Sequence, residues 1–154
     1  MKRYSIAIVI CAVALVAGAT TAFAGEAGGL NVVMAKPTVT TELGDGLVYE
    51  TTSNSQVCVT TDPNDPLNRA SGDCSGACIR KGDGDPECMG SCTWADTDGD
   101  LAFFTWTGQT AGSWKMQGGT GKWAKASGSG TWMAAAVYAG GMGANSWKGE
   151  IDME

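Results

Sequence analysis

The chain has 154 residues, of which 16 are acidic and 10 basic, giving a formal net charge of −6 at pH 7. An acidic protein is repelled by nucleic acid and by anionic membranes, so neither is an expected partner. The sequence contains no histidine, which excludes Ser-His-Asp and Cys-His catalytic pairs, imidazole metal sites and c-type haem attachment.

Residues 1–24 have the pattern of a secretory signal peptide. Lys2 and Arg3 precede an apolar run at 6–16 that is too short to span a bilayer comfortably. Ala22-Phe23-Ala24 is a small-x-small cleavage site, with residues 17–19 as the alternative site. We therefore expect an exported protein, periplasmic or extracellular, without a membrane span after cleavage; the alternative is a retained anchor.

Residues 25–154 are then predicted to form a single domain. The predicted cleavage removes two basic residues and no acidic one, leaving eight basic against 16 acidic residues and a formal charge of −8. A chain of this length is sufficient for one modest hydrophobic core.

The first half of this domain begins with a lead-in, residues 25–36, that ends at Pro37. Two strands are predicted at 39–41 and 47–51 around the turn at Gly44-Asp45-Gly46, because β-branched residues flank turn-forming ones. Residues 56–61 alternate valines with Gln56, Cys58 and Thr60, which is typical of a half-buried strand.

Residues 62–92 are predicted to be a long cysteine-rich loop. The segment is rich in Gly, Asp and Pro and has almost no apolar periodicity. Structureless loops of this length are uncommon in compact domains and are usually functional or cross-linked.

The cysteines of this loop have the spacing Cys-x3-Cys, nine residues, Cys-x3-Cys, formed by Cys74, Cys78, Cys88 and Cys92. Disulfides are favoured over a zinc site or redox catalysis, because exported chains meet an oxidising compartment. The nested pairing of Cys74 with Cys92 and Cys78 with Cys88 is the favoured arrangement. It leaves Cys58 either buried and reduced or bridging to another chain.

Further strands are predicted after the loop. Residues 101–106 and 113–116 are strands, with Trp114 and Met116 on one face of the second. Residues 132–138 are apolar on both faces, which predicts a strand covered on both sides. In the last strand Trp147, Gly149, Ile151 and Met153 face the core, and the charged residues between them face water.

The glycine-rich segment 118–132 is predicted to be a hairpin with a turn on each side. Gly118, Gly119 and Gly121 form the first turn, since glycine adopts positive φ without a Cβ clash. Residues 122–127 form a short strand, and Gly128-Ser129-Gly130 forms the second turn. In total about eight short strands alternate with turns, which predicts an all-β fold, a small antiparallel β-barrel.

The segment Asp96-Thr97-Asp98-Gly99-Asp100 is predicted to be a hairpin turn. A weak calcium site at Asp96, Asp98 and Asp100 is the alternative, because acidic residues alternate as they do in calcium-binding loops, with Asp83, Asp85 and Glu87 as further oxygen ligands. No other metal site and no cofactor are expected.

Aromatic residues recur through the strands and are interspersed with alanine and glycine. Either they fill a small barrel, or they line a lumen that holds one small apolar ligand. The candidate lining residues are Trp114, Trp123, Trp132, Tyr138 and Trp147. Tyr49, Tyr138, Lys115 and Lys125 are the only titratable groups with any claim to an enzymatic role in such a lumen.

The sequence Gly118-Gly119-Thr120-Gly121-Lys122-Trp123, followed by Ala126 and Gly128, resembles a segment of the allene oxide cyclase and dirigent barrel families. The resemblance covers roughly residues 92–154 and includes uncharacterised secreted bacterial proteins of this type. It implies a barrel with a ligand inside. Allene oxide cyclases are isomerases and dirigent proteins steer radical coupling, but their pocket residues match no positions here.

These observations favour a non-enzymatic binding or structural module of the cell envelope or exterior. The alternative is an isomerase-like enzyme acting on a small apolar ligand in the lumen. A lumen with a buried carboxylate or lysine would favour the enzyme, whereas a filled lumen would favour a structural role. A homo-oligomer is compatible with either function.

Overall fold

A computed structural model describes residues 23–153, which form one antiparallel sheet of nine strands. Two short 3-10 turns, at Gly121–Trp123 and Ala139–Gly141, interrupt the strands. No helix in the described residues is long and apolar enough to cross a membrane. The strands are β1 (Phe23–Ala35), β2 (Val39–Gly44), β3 (Leu47–Thr60), β4 (Ser71–Lys81), β5 (Glu87–Ala95), β6 (Leu101–Gly108), β7 (Ala111–Gly119), β8 (Ser127–Val137) and β9 (Met142–Met153).

The sheet closes into a barrel because β1 pairs with β9 along one edge and with β3 along the other. Eight strands, β1 and β3–β9, form the closed wall, which confirms the predicted small barrel and removes most free edges. The extra strand β2 lies beside β3 just beyond β1. Ala35 lies opposite Asn54 and Val39 opposite Thr51, so the two strands follow the same edge of β3 on either side of Pro37.

The prediction of a lead-in at residues 25–36 is therefore wrong, because this segment belongs to the strand that closes the barrel. The boundary at Pro37 is correct, since proline cannot donate a ladder hydrogen bond. The predicted signal peptide stays a prediction: residues 1–22 lie outside the described residues, and the expected cleavage point after Ala24 lies within β1.

The segment predicted as a loop at 62–92 is mostly a β-hairpin. Within this segment only residues 62–70 and 82–86 lie outside strands; the remainder is β4 and the first part of β5. The disulfide pairing is confirmed, because Cys74 is bonded to Cys92 and Cys78 to Cys88. Each pair lies directly opposite across the two strands, so the disulfides cross-link a hairpin.

The two ends of the barrel differ. At one end, which we call the floor, residues 61–70 and the turn at Gly121–Trp123 close the barrel, and Leu67 and Trp123 are fully buried there. The opposite end, which we call the mouth, carries the turns between β2 and β3, β4 and β5, β6 and β7, and β8 and β9. The hydrophobic core is concentrated toward the floor.

The glycine-rich segment is partly as predicted. Gly118 and Gly121 have φ of +90° and +51°, which confirms a turn that requires glycine. Residues 122–127 are not a strand, however, because the chain makes a 3-10 turn that buries Trp123. Residues 128–130 are not a turn, since they lie within β8.

The outer surface of the barrel explains two further differences. Residues 132–138 are not covered on both sides, since Met133, Val137 and Tyr138 are exposed. The 56–61 strand is half-buried as predicted, but the outward side chains are Val57 and Val59. The alternation in β9 is confirmed, because its apolar residues face the interior.

We expect Gly121→Val to destabilise the barrel. A side chain at φ +51° is strained, by roughly 1–3 kcal/mol, and its Cβ would also overlap the Asp100 carboxylate. The measurement is urea unfolding followed by tryptophan fluorescence.

Gly82→Val is the matched control, because Gly82 has a similar φ of +58° and no atom within 4 Å of an added Cβ. Both variants share the backbone strain, so the extra loss in Gly121→Val measures the overlap with Asp100. Equal losses would contradict the overlap, and an unchanged Gly121→Val would contradict the turn itself.

Candidate ligand-binding site

The barrel encloses a cavity of about 250 Å³ that opens at the mouth. This volume is close to the lower end of the range for small-molecule sites, ~300–1,000 Å³. The lumen is therefore not filled by side chains. The lining residues are Asn31, Glu50, Thr52, Asn54, Gln56, Leu67, Cys74, Cys78, Cys88, Cys92, Trp94, Phe104, Trp106, Gly108, Gln109, Trp114, Trp132, Ala134, Asn145 and Trp147.

Aromatic rings from β5 to β9 form one wall of the cavity. One series of contacts runs from Trp94 to Phe104, Trp114 and Trp147, with successive ring centroids 4.9, 6.1 and 6.0 Å apart. Near the mouth, Trp106 and Trp132 form an edge-to-face pair at 6.3 Å. These separations are those of stabilising aromatic pairs, so the rings support one another around an open space.

The position of Trp106 depends on two glycines. Gly76 and Gly90 lie opposite each other on β4 and β5, and a Cβ on either would overlap Cζ2 of Trp106. The indole therefore lies directly against the backbone of the wall. The strands here carry glycine because the ring occupies the place of their side chains.

Trp114 is held in the same way on the other side of the barrel. Its ring lies where a Cβ of Gly130 or Gly149 would be, and these glycines are opposite each other on β8 and β9. Its indole N–H donates to the Lys148 carbonyl at 3.3 Å. Both rings thus line the wall without crossing the lumen.

The two disulfides line the cavity on either side of Gly76 and Gly90. Cys74–Cys92 lies on the floor side of this glycine pair and Cys78–Cys88 on the mouth side. The sulfur atoms therefore contribute apolar surface to the site as well as cross-linking its wall.

Strand β3 supplies a polar wall. Its lumen-facing side chains are alternate residues, Glu50, Thr52, Asn54 and Gln56. The Gln56 amide donates to Asn54 Oδ1 at 2.8 Å. This alternation explains why Val57 and Val59 face outward, since the inner face of the strand borders a cavity that accommodates polar groups.

Four buried polar atoms around the cavity have no hydrogen-bond partner within residues 23–153. They are Oδ1 of Asn31 and the indole N–H groups of Trp94, Trp106 and Trp147. Buried polar groups are normally satisfied, so these atoms call for partners from water or a ligand. In contrast, the Trp132 indole donates to the Thr107 carbonyl at 3.0 Å.

Cys58 is a free thiol, 1% exposed, near the floor. Burial and, to a lesser extent, the nearby Asp65 carboxylate raise the pKa of Cys58 to about 12, although the Trp147 indole partly lowers this pKa. The thiol therefore stays protonated and unreactive, which argues against redox catalysis by this residue.

Asp96 joins the floor to the turn between β5 and β6. Its side chain is 1% exposed and accepts hydrogen bonds from the Trp123 indole at 2.8 Å and the Asp98 backbone N–H at 2.8 Å. Lys122 Nζ lies 2.9 Å from Asp96 and 2.8 Å from Asp98. Burial raises the pKa of Asp96, but these donors outweigh it, so the pKa lies below its ordinary value.

This geometry favours the turn over the calcium site. Asp96 already accepts protein donors, Asp98 pairs with Lys122, and Asp100 accepts the Lys122 backbone N–H at 3.1 Å. Residues 83–87 cannot contribute, because they lie at the opposite end of β5. Among residues 23–153, no group of three or more acidic or cysteine side chains is arranged to hold a metal.

The structure places the predicted lining residues in different environments. Trp114, Trp132 and Trp147 line the cavity. Trp123 is instead buried in the floor, and Tyr138 is 59% exposed outside the lumen. Tyr49, Lys115 and Lys125, the remaining titratable candidates, do not line the cavity either.

Sequence reasoning missed Asn31, Glu50 and Trp106 as lining residues. The only titratable carboxylate in the cavity wall is Glu50, among the described residues. The signal for it is the continuous polar run from Glu50 to Gln56, which is typical of a solvated segment until the strand is placed around a lumen.

No protein-family model matches the sequence, and no curated protein matches it. The fold is similar to two solved dirigent proteins, the pterocarpan synthases GePTS1 and PsPTS1. The first has a TM-score of 0.54 and 12% identity, over 86% of each chain. The second has a TM-score of 0.53 and 12% identity, over 85% of this chain and 96% of the other. A pyocyanin demethylase has a TM-score of 0.48 and 15% identity, over 80% of this chain and 98% of the other.

The similarities to the two dirigent proteins show a dirigent-like barrel. At 12% identity they establish the fold and carry over no activity and no site residue. The predicted dirigent-like barrel is therefore confirmed as a fold, whereas the resemblance to allene oxide cyclases and to secreted bacterial proteins stays a prediction.

We expect the Asp96 interactions to stabilise the protein in a pH-dependent way. Because the folded-state pKa of Asp96 is lowered, its stabilisation is present above the unfolded-state pKa of about 3.9 and is lost as pH falls through the folded-state value. Asp96→Asn should therefore be less stable than the parent at neutral pH, with a difference that shrinks below about pH 4.

Asp98→Asn is the control, since its carboxylate is 70% exposed and should contribute little at any pH. Urea unfolding across this pH range gives the comparison. A deficit of Asp96→Asn that stays constant into acid would contradict the assigned ionisation.

We further expect Cys58 to resist alkylation in the native protein. The thiol is buried with a raised pKa, so iodoacetamide at mildly alkaline pH should leave it unmodified until denaturant is added. Peptide mapping of residues 25–154, without reduction, should then find Cys58 alone alkylated. Rapid native labelling, or alkylation of the other four cysteines, would contradict the described state.

Proposed function

We propose that this protein is a non-enzymatic binding protein that holds one small, mainly apolar molecule in the barrel lumen. The proposal rests chiefly on one observation, the open cavity of about 250 Å³ walled by indole rings and disulfides. A structural module would gain stability by filling this space, since each void forfeits packing energy. Retaining the cavity is instead consistent with a ligand that enters from the mouth.

The composition of the wall supports a ligand of mixed character. Aromatic rings offer apolar surface on one side, and β3 offers amide, hydroxyl and carboxylate groups on the other. A site of this kind binds through apolar burial and uses a few polar groups to orient the ligand. The buried Asn31 and Trp94 atoms, which have no hydrogen-bond partner among residues 23–153, are available for that second role.

Export to the periplasm or the cell exterior remains part of the proposal. It is supported by the signal-like pattern of residues 1–24 and by two disulfides, which persist in oxidising compartments. In a reducing compartment the two disulfides of the cavity wall would be reduced. The location and the construction of the site are thus consistent with each other.

An isomerase-like enzyme is the second candidate, and Glu50 is the observation that favours it. A carboxylate beside aromatic rings in a partly closed site is what proton abstraction from a bound molecule requires. A binding protein would release its ligand chemically unchanged. Recovery of a rearranged ligand from the parent, but not from Glu50→Gln, would support the enzyme instead.

We expect Thr52→Phe to block the site. The neutral dye N-phenyl-1-naphthylamine should bind the parent with enhanced fluorescence, because the lumen is apolar and partly shielded from water. Thr52 lines the cavity, so a phenyl ring there should weaken binding roughly tenfold or more, about 1.4 kcal/mol.

Thr51→Phe is the matched control, because Thr51 is the neighbouring residue on the same strand and is not part of the cavity wall. It should bind the dye like the parent. Equal affinities of all three proteins would place the dye outside the lumen, and no fluorescence change with the parent would argue against a binding lumen.

A further inference from the structure

We infer that the ligand of this cavity is a small organic cation, an amine or ammonium compound carrying an apolar ring. This inference rests on the proposed binding function and specifies the chemical class of its ligand. It follows from the charge of the wall, from the surfaces that meet at the mouth, and from the polar atoms deeper in the lumen.

The charge of the cavity wall has one sign. Glu50 is its only charged side chain among residues 23–153, and no lysine or arginine lines the lumen. Glu50 has no salt bridge in this part of the chain; the ion pairs there involve Lys36 and Lys122. A half-buried carboxylate without a protein counter-ion attracts cations and repels anions.

Glu50 lines the same cavity as the aromatic pair of the mouth, on the strand beside the one that supports the Trp106 ring. It is opposite Cys78 on β4, two residues from Gly76, whose backbone supports the Trp106 ring. Trp132 meets Trp106 edge to face. A group entering at the mouth therefore meets a carboxylate and indole rings together.

This combination is selective for positive charge. Ring faces attract a cation through their quadrupole, and the attraction strengthens as the cation is withdrawn from water. The carboxylate adds a charge-assisted contact that a neutral molecule cannot form. Either feature alone is common on protein surfaces, but together in a partly closed cavity they disfavour carboxylate and phosphate ligands.

The deeper lumen accommodates the rest of the molecule. Phe104 and Trp114 offer ring surface toward the floor, and the Trp94 indole N–H has no acceptor in the part of the chain that the structure describes. A ligand ring that carries an oxygen would pack its apolar surface against Phe104 and Trp114. Its oxygen could then accept a hydrogen bond from the Trp94 indole N–H. The cavity thus distinguishes a cationic end at the mouth from an apolar end toward the floor.

The test uses three probes of similar shape: tyramine, which is a cation, 4-propylphenol, which is neutral, and 4-hydroxyphenylacetate, which is an anion. Isothermal titration calorimetry with the disulfide-intact protein should show tyramine binding roughly tenfold more tightly than 4-propylphenol, with the anion weakest. In Glu50→Gln the affinities for tyramine and 4-propylphenol should come within about twofold of each other.

Glu42→Gln is the matched control, because it removes one negative charge at an exposed residue of β2 that does not line the cavity. It should keep the preference of the parent. If both variants lose the preference for tyramine equally, the preference is due to net charge. If Glu50→Gln keeps the preference, the proposed role of Glu50 is contradicted.

The outcomes also separate this inference from the proposed function. If 4-propylphenol or the anion binds as tightly as tyramine, the inference is wrong while the binding lumen stands. If none of the three binds but N-phenyl-1-naphthylamine does, the cation site is again wrong. If the parent binds neither the dye nor any probe, the proposed function fails together with the inference.

Discussion

The open lumen depends on the contact between indole rings and backbone glycines. Trp106 lies against Gly76 and Gly90, so its ring is set back into the wall by the thickness of a side chain. With a Cβ at either glycine, the ring would have to project toward the barrel axis. A barrel of eight strands has an interior just wide enough to be filled by side chains or to hold one small ligand. Removing side chains from the wall behind large rings is how this barrel keeps a cavity lined by tryptophan.

This arrangement has a cost, which the disulfides offset. Glycine weakens strands, because it has no side chain to pack and loses more conformational freedom on folding. Gly76 and Gly90 lie between Cys74–Cys92 and Cys78–Cys88, so the weakest part of the hairpin is cross-linked on both sides. The cross-links restrict the unfolded chain and contribute apolar lining at the same time. Stability and site construction are therefore coupled in this wall.

The same constraint explains what the sequence could predict and what it could not. The barrel, the disulfide pairing and the turn at Gly121 depend on signals that are local or sum over many strands. The strands at 71–81 and 87–95 are hard to predict, because they are rich in Gly, Ser and Asp, which have low β-propensity. Gly76 and Gly90 are required by the contact with Trp106 on β6, and Gly130 is not a turn residue because it accommodates Trp114. From Glu50 to Gln56 both faces of β3 are polar, and only the closed fold reveals that one of them lines a cavity.

The separation between floor and mouth allows stability and binding to depend on different residues. The floor is fixed by Asp96, which holds Trp123 and Lys122 in a buried set of charge-assisted hydrogen bonds. The mouth carries Glu50, whose carboxylate lacks a protein counter-ion in the described chain and therefore contributes no comparable bond to folding. A carboxylate that the protein leaves unpaired can form a charge-assisted contact with a ligand. The same acidic residue type thus differs between the two ends of the barrel: the protein satisfies it at the floor, and in the proposed binding site it is available to a ligand at the mouth.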